Sequence, residues 1–152
     1  MNAVMTLNEA IRNRRAVRSY TSERVDETLV RDLLMAAVQA PSAMNGQPWM
    51  FSIIEDRKQL NRWSDQAKSM LIERASSDAK VRHYAPLLET TSFNIFYDAP
   101  MLIVIGAKEK TTFTEADCWL AAENLMLAAA DLGLGSCPIG FAIPVLNTAE
   151  AK

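Results

Sequence analysis

Apolar residues recur along the chain at helical and strand-like spacings, which predict an alternation of helices and strands. Thr6 and Glu9 form a capping box that opens a short helix over residues 7–13. Asp26 is a good N-cap for a second helix over residues 27–39, in which two apolar rows at spacing four form one broad face. This face predicts that the second helix packs against a core.

Two strands and a third helix follow. Residues 50–54 are rich in β-favouring side chains and predict a short buried strand. Asp56 and Gln59 can cap an amphipathic helix over residues 57–74. The continuous apolar run at 100–106, between a proline and a glycine, is typical of a strand buried on both faces.

A fourth helix, capped by Thr114 with Asp117, is predicted over residues 114–131. It is apolar almost all round, so it belongs in a core or a subunit interface. Residues 75–91 are polar and poorly periodic, and predict either a flexible excursion or a short helix over a pocket. The order of elements indicates one domain over residues 1–152 with an α+β or α/β layer fold.

Composition narrows the class of protein. Hydrophobic residues make up 49% and charged residues 22%, as in soluble globular proteins. The net charge of −2 and the lack of a dense basic cluster argue against nucleic-acid binding. The longest apolar stretch, 125–130, is too short to span a membrane. Cys118 and Cys137 form no CxxC pair and His83 is the single histidine, so we expect a reduced, cytoplasmic protein without a metal site.

Three arginines, Arg14, Arg15 and Arg18, fall within five residues. Such clusters are usually solvated charge, but guanidinium groups also bind phosphate and carboxylate in a bidentate manner. Flanking Val17 and Tyr20 favour partial burial. The cluster therefore predicts either a charged surface or an anion site.

The stretch 40–51 is the least periodic part of the chain. Pro41 and Pro48 prevent a helix or a central strand from running through it, and Gly46 permits a left-handed or tight conformation. Side chains with hydrogen-bonding groups are concentrated here, namely Ser42, Asn45 and Gln47. The stretch is either an ordinary helix-to-strand loop or part of a ligand site.

A second rigid turn, residues 136–140, follows Gly133 and Gly135 and is rich in backbone amides. The sequence contains no nucleophile elbow, P-loop, HExxH or dinucleotide-binding glycine motif. Cys137 has no adjacent histidine, and Glu123 and Asp131 form no evident acid–base pair, so no protein side chain is expected to be catalytic. If the protein is an enzyme, its reactive group is a bound organic cofactor.

Taken together, three motifs resemble the nitroreductase family of FMN-dependent oxidoreductases. The matching segments are residues 14–20, 40–49 and 123–140, in the family's order, with Ala-Pro-Ser-Ala-Met-Asn-Gly-Gln-Pro-Trp the most specific. The resemblance implies an α+β fold with helices packed around a small central β-sheet. It also implies an intertwined homodimer with two FMN sites at the interface.

The resemblance further assigns residues to the cofactor. The residues implied to contact FMN are Arg14, Arg15, Ala16, Arg18, Pro41, Ser42, Ala43, Asn45, Gln47, Pro138, Ile139 and Gly140. The arginines would hold the phosphate and reach the flavin's polar edge, while the loop at 41–47 would serve the flavin of the other subunit. A backbone amide near Gly140 would reach N5 or O4 and favour the electron-rich reduced flavin.

The sequence departs from the family in two places. Ala16 stands where the family often has Ser, which removes a hydroxyl contact typically worth about 1 kcal/mol. Family members usually continue past the equivalent of Lys152 with a further strand and a tail. A missing strand would expose a sheet edge, which we expect dimer contacts or a rearrangement to cover.

These observations support hypotheses of different classes. The first is an enzyme that transfers two electrons from NADH or NADPH through flavin N5 to nitroaromatic, quinone or flavin acceptors, with ping-pong kinetics. The second is a dimeric FMN-binding or scaffold protein with little or no turnover, because the C-terminal segment is missing. A helical interaction module without a cofactor is disfavoured by the polar loops.

Overall fold

The computed structural model describes residues 5–149, and the two ends of the predicted 1–152 domain lie outside the described residues. The elements in chain order are α1 (Leu7–Asn13), α2 (Glu27–Ala37), β1 (Trp49–Ile54), α3 (Arg57–Ala75), α4 (Ala79–Arg82), α5 (Ala85–Leu88), β2 (Leu102–Ala107), α6 (Thr114–Asp131) and α7 (Ile143–Leu146). None of the helices within the described range is long and apolar enough to cross a membrane.

The chain divides into two compact units, each assembled from three separate segments. The first unit contains the described residues up to 17, together with 23–53 and 103–137. In it α2 packs against α6. Its buried core consists of Leu33, Ala37, Ala40, Trp49, Ala121, Leu125 and Ala129. Two of these, Ala40 and Trp49, lie within the predicted stretch 40–51 and bracket residues 41–48, so both ends of that segment are fixed in the core.

The second unit contains residues 18–22, 54–102 and the described residues from 138 onward. Its long helix α3 contacts α4, α5 and α7. Its buried core consists of Leu60, Trp63, Ala67, Ile95, Phe96, Ala142 and Val145. The apolar positions of α3 recur at spacing three or four, as an amphipathic helix requires.

The sheet has two antiparallel strands, β1 and β2. The amide of Lys108 donates to the carbonyl of Pro48 (2.9 Å), which extends the pairing beyond the strand ends. β2 begins two residues later than the apolar run predicted. Burial on both faces was wrong, because all six of its residues are only partly buried. A strand with one neighbour in a two-stranded sheet keeps an open edge.

Several element boundaries follow the capping signals in the sequence. The Thr6–Glu9 capping box is present, with the Glu9 amide donating to Thr6 Oγ1 and the Thr6 amide to Glu9 Oε2. Asp26 caps α2, which ends at Ala37 rather than at residue 39, because the following amides bond to carbonyls three residues back as the chain turns. Residues 75–91 form the short helices α4 and α5, with His83 exposed between them.

The bounds predicted for α6 are confirmed, but the prediction that Thr114 and Asp117 cap it was wrong. The N-cap is Phe113, without a side-chain hydrogen bond. The Thr114 hydroxyl instead accepts from the Thr111 amide (2.7 Å) and donates to the Glu109 carbonyl (3.1 Å). Asp117 is buried, with 5% of its surface exposed, and makes a contact outside the helix that is described below.

The apolar surface of α6 is buried on one side of the helix. Ala121, Leu125 and Ala129 lie in the core, whereas Trp119 is 53% and Leu120 is 44% exposed. The sequence allowed either a core or a subunit interface for this helix. Packing within the single chain explains the apolar residues on the core-facing side of α6 but not the exposed ones on the other side.

Candidate functional site

The arginine segment follows α1 directly and is held by α6. Arg14 is the C-cap of α1, and its Nε lies 3.5 Å from Oε1 of Glu123 on α6. Nη1 of Arg15 donates to the carbonyls of Arg12 (2.6 Å) and Arg14 (2.9 Å). Arg14 is partly buried and Arg15 is exposed. The guanidinium groups are therefore oriented by their own segment and by one carboxylate.

The segment then pairs with the third motif. Ala16 and Ser136 form a parallel β-bridge, in which the amide of Val17 donates to the Ser136 carbonyl (2.9 Å). The close approach needs a glycine next to it, because a Cβ on Gly135 would lie 2.9 Å from Cγ1 of Val17. Two motifs that are 120 residues apart in the sequence are thereby side by side in the first unit.

The 41–47 loop contains a tight 3₁₀ turn at Ala43–Asn45. Met44, Asn45 and Gln47 all have positive φ angles, of 53°, 54° and 46°. Gly46 has φ −70°, so the left-handed conformation expected at the glycine falls instead on its non-glycine neighbours. Such conformations are costly for residues with a Cβ and persist only where the surroundings impose them.

Hydrogen bonds within the loop impose part of this geometry. Ser42 Oγ accepts from the Gln47 amide (3.0 Å), and Nε2 of Gln47 donates to Oδ1 of Asn45 (3.3 Å). Of the polar side chains that the sequence marked as ligand groups, Asn45 and Gln47 are therefore paired with each other, and Ser42 is paired with the Gln47 backbone. Met44, whose side chain is fully exposed, projects from the same turn.

Asp117 supplies a contact that the sequence analysis missed. Its Oδ1 accepts from the amide of Ala43 (3.0 Å), 74 residues away. Asn124, about two turns further along α6, donates from Nδ2 to the carbonyl of Ala36 at the end of α2 (3.2 Å). The only sequence signal for this contact was an acidic residue in the first turn of a largely apolar helix, and that signal was attributed to capping.

Within the first unit, α6 thus supports both predicted ligand segments. Glu123 holds Arg14, and Asp117 holds Ala43. Six residues separate these carboxylates, which corresponds to about 9 Å along a helix axis. The predicted residues Arg14–Ala16 and those of the 41–47 loop are attached to one rigid element.

The third motif begins with a helix stop. Gly133 has φ 74°, and the amide of Leu134 donates to the carbonyl of Ala129 (2.8 Å), as at a glycine-terminated helix. Pro138, Ile139 and Gly140 belong to the second unit, where Ile139 packs against the core and Gly140 is exposed. A Cβ on Gly140 would meet nothing within 4 Å, so the backbone is open to approach here.

Arg18 also belongs to the second unit. Its guanidinium carbon lies 5.8 Å from the ring centre of Tyr97, a cation–π distance. Both side chains line an open cavity of about 280 Å³ with mainly polar walls. The other lining residues are Ser19, Tyr20, Ser92, Phe93, Asn94 and Asp98.

The cavity wall contains a second left-handed pair of residues. Tyr97 and Asp98 have φ angles of 55° and 56°. The Asn94 side chain stabilises the approach to them, because its Oδ1 accepts from the Phe96 amide (2.8 Å) while its Nδ2 donates to Asn61 (2.9 Å). Strained backbone of this kind is enriched at ligand sites.

Groups with acid–base or metal chemistry are few around these segments. Burial, and to a lesser extent the charge of Asp117, raise the pKa of the Cys118 thiol. A raised pKa keeps Cys118 protonated and unreactive near neutral pH. Across residues 5–149, no cluster of three or more His, Cys, Asp or Glu side chains could hold a metal ion.

Comparison with known proteins places the fold. The model of the nitroreductase family matches residues 11–146. A nitroreductase with bound FMN from Bacteroides fragilis superimposes with a TM-score of 0.81 at 27% identity, over 95% of this chain and 75% of that one. An FMN-dependent nitroreductase from Clostridium difficile gives 0.77 at 32% identity, over 88% of this chain and 60% of that one.

Sequence relatives agree. A Methanothermobacter thermautotrophicus protein named as an NADH dehydrogenase/NAD(P)H nitroreductase is 31% identical over 87% of this chain, and the iodotyrosine deiodinase of Thermotoga neapolitana is 30% identical over 87%. This chain spans 59% and 72% of the lengths of those two proteins. The predicted α+β architecture and the resemblance drawn from three motifs are confirmed, and the chain belongs to the nitroreductase family.

Proposed function

We propose that this chain is an FMN-dependent oxidoreductase that uses NADH or NADPH to reduce small electron-poor acceptors. FMN, when bound, supplies the redox chemistry, receiving hydride at N5 from the nicotinamide and passing two electrons to the acceptor. Nitroaromatics, quinones and flavins are the proposed acceptors. If nicotinamide and acceptor use the same open site in turn, the kinetics are ping-pong.

The observation that carries the proposal is the bridge between Ala16 and Ser136. Within the first unit it sets the arginine segment beside Ser136, so residues from two of the three segments that the resemblance assigns to the cofactor are adjacent. The donor groups suit a phosphate, since Arg14 and Arg15 are both accessible and each guanidinium carries five N–H donors. The residues present therefore fit FMN by their chemistry.

The remaining predicted contacts support the same cofactor. Arg18 lies beside the polar cavity of the second unit, as a group that recognises a polar ring edge would. The open backbone at Gly140 permits close approach of a flat ring. Role by role, Arg14 and Arg15 would bind the phosphate, Arg18 the ring edge, and an amide near Gly140 would stabilise negative charge.

We further propose that the functional form is a homodimer with the FMN sites at its interface. Large apolar side chains are exposed in the first unit, namely Met35, Met44, Phe113, Trp119 and Leu120. A second copy would cover such surface. In that arrangement Ser42 and Asn45 serve the flavin anchored by the partner's arginines, so a monomer has no complete site.

The decisive experiment is an absorbance spectrum before and after addition of NADPH or NADH without oxygen. The expected result is a yellow protein whose oxidised-flavin absorbance disappears with the nicotinamide and returns with an acceptor. Colourless protein that cannot be reconstituted with FMN contradicts the proposal. Flavin bound at full stoichiometry but reduced by neither nicotinamide instead favours a flavin-binding protein without turnover.

A pair of arginine variants tests the phosphate site. Arg14→Ala should lose FMN, whereas Arg12→Ala, which removes the same charge from α1, should retain it. Equal losses would indicate a general charge effect.

The proposed dimer is tested with Trp119→Glu, which should give a monomer by light scattering that also loses FMN. Met70→Glu in α3 is the control. A monomer that keeps tightly bound FMN would exclude the shared site.

A further inference from the structure

Asp117 is a buried carboxylate on α6, and within residues 5–149 it forms no ion pair with arginine or lysine. Its side chain accepts from one distant donor, the amide of Ala43 (3.0 Å). Burying a carboxylate is costly unless hydrogen bonds compensate it, and one to a backbone amide is stronger than a neutral pair. The contact therefore couples the position of the 41–47 loop to the rigid helix.

The position of the 41–47 loop depends on a contact from outside the loop. Its internal bonds, from Gln47 to Ser42 and Asn45, close the turn but do not fix its direction relative to the core. Three of its residues have positive φ angles. Ala40 and Trp49 anchor the two ends, and the bond to Asp117 holds the segment between them.

We infer that Asp117 is a positioning residue, which holds the 41–47 loop in its left-handed conformation ready to receive the flavin. The expected effect on FMN affinity rests on the proposed function, whereas the expected effect on the loop conformation does not. Asp117 is not among the residues proposed to contact FMN. It acts through the Ala43 amide, which sets where Ser42 and Asn45 are presented.

The test compares Asp117→Ala, Asp117→Asn and Asp131→Ala. Asp131 is the matched control, because it is an exposed carboxylate on the same helix that also accepts a backbone amide, that of Met5 (3.0 Å). The first readout is hydrogen exchange of the cofactor-free protein. In Asp117→Ala the amides at 43–47 should exchange at least tenfold faster, while those at 121–129 in the core stay protected.

The second readout is the FMN dissociation constant, measured by quenching of flavin fluorescence. Asp117→Ala should raise it about tenfold, as expected for loss of a charge-assisted hydrogen bond. Asp117→Asn keeps an acceptor oxygen and should stay within about threefold of wild type. Asp131→Ala should leave both readouts unchanged.

The outcomes separate this inference from the proposed function. If wild type binds no FMN, the proposed function fails, and the exchange measurement alone decides the role of Asp117. The inference is overturned if Asp117→Ala exchanges like wild type at 43–47. It is also overturned if exchange in Asp117→Ala rises equally in the core. Asp117→Asn is the second variant, for use if the alanine variant does not fold. The inference is overturned if Asp117→Asn, which keeps an acceptor oxygen, raises exchange at 43–47 by tenfold or more.

Discussion

Nε of Arg14 lies 3.5 Å from Oε1 of Glu123, so the arginine proposed to bind a phosphate is already paired with a carboxylate. The Glu123 side chain is 50% exposed and that of Arg14 is 29% exposed, which limits the strength of the pair through solvent screening. A phosphate that approaches Arg14 also approaches Glu123. The carboxylate both orients the guanidinium and repels the anion.

Glu123→Gln should therefore bind FMN more tightly, by roughly two- to fivefold, the range of an exposed pair worth up to about 1 kcal/mol. Glutamine keeps an acceptor oxygen for Arg14 but removes the negative charge. Fluorescence titration at low salt and at about 0.5 M salt measures the gain in FMN affinity. The gain should be smaller at the higher salt, because the Debye length is shorter there and charges are screened. Glu115→Gln, an exposed residue of the same helix, is the control, and weaker binding by Glu123→Gln would show that orientation dominates.

Gly135→Ala should destabilise the protein by about 1–3 kcal/mol, a typical cost of overpacking. The added Cβ would lie 2.9 Å from Cγ1 of Val17 and would push the Ala16–Ser136 bridge apart. Urea unfolding measures the loss. The double variant Val17→Ala/Gly135→Ala should recover part of it, because alanine removes both Cγ atoms but keeps the Cβ, 3.0 Å from the added Cβ. Gly106→Ala, where a Cβ meets nothing within 4 Å, should not clash. Additive losses in the double variant would refute the steric account.

Lys68→Met should lower the free energy of unfolding by about 2 kcal/mol, the scale of hydrogen bonds made by a charged donor. Lys68 is 8% exposed, and its Nζ donates to the carbonyls of Thr90 and Phe93, both at 2.9 Å. Methionine fills the space of the aliphatic stem but leaves the partly buried pair of hydrogen bonds to the Thr90 and Phe93 carbonyls unmade. Lys58→Met at an exposed position of α3 is the control. If both variants unfold at the wild-type urea concentration, the two hydrogen bonds contribute nothing net.

Helix capping makes stability depend on acid pH. The Thr28 backbone amide bond, followed by the Thr28 side-chain bond, lowers the pKa of Asp26. A lowered folded pKa means that the contribution is complete above the unfolded value of about 3.9 and is lost as pH falls through the folded value. Asp26→Asn retains a capping oxygen without titrating.

The wild type should therefore lose stability more steeply than Asp26→Asn as the pH falls below about 4. Chemical denaturation at a series of pH values measures this difference. Glu27→Gln, in which the capping carboxylate is intact, should follow the wild-type curve. Parallel curves for wild type and Asp26→Asn would remove Asp26 from the explanation.

Local signals were readable from the sequence, and long-range ones were not. Thr6, Glu9 and Asp26 cap their helices as predicted, since each cap depends only on residues within three positions. Thr114 and Asp117 have the same spacing, but Asp117 is used by Ala43, 74 residues away, which no local pattern reveals.

The site shows the same division. The arginine cluster and the polar loop were recognised by residue type, and their attachment to α6 through Glu123 and Asp117 was not. The sequence also named Gly46, and not its neighbours, as the residue that permits a left-handed conformation. Gly46 has the least steric restriction, yet Met44 and Asn45 adopt positive φ because the anchors at Ala40, Ala43 and Trp49 set the path of the chain. Tertiary restraint overrode intrinsic preference.

The chain passes from one compact unit to the other five times, after residues 17, 22, 53, 102 and 137. Neither unit is therefore encoded by a contiguous stretch of the gene, and neither can be expressed, exchanged or duplicated by a single crossover. Recombination between relatives should yield folded chimeras only when all the segments of a unit come from the same parent. In folding, contacts within either unit must close long intervening loops, so a nascent chain cannot complete the first unit before residues beyond 103 have been synthesised.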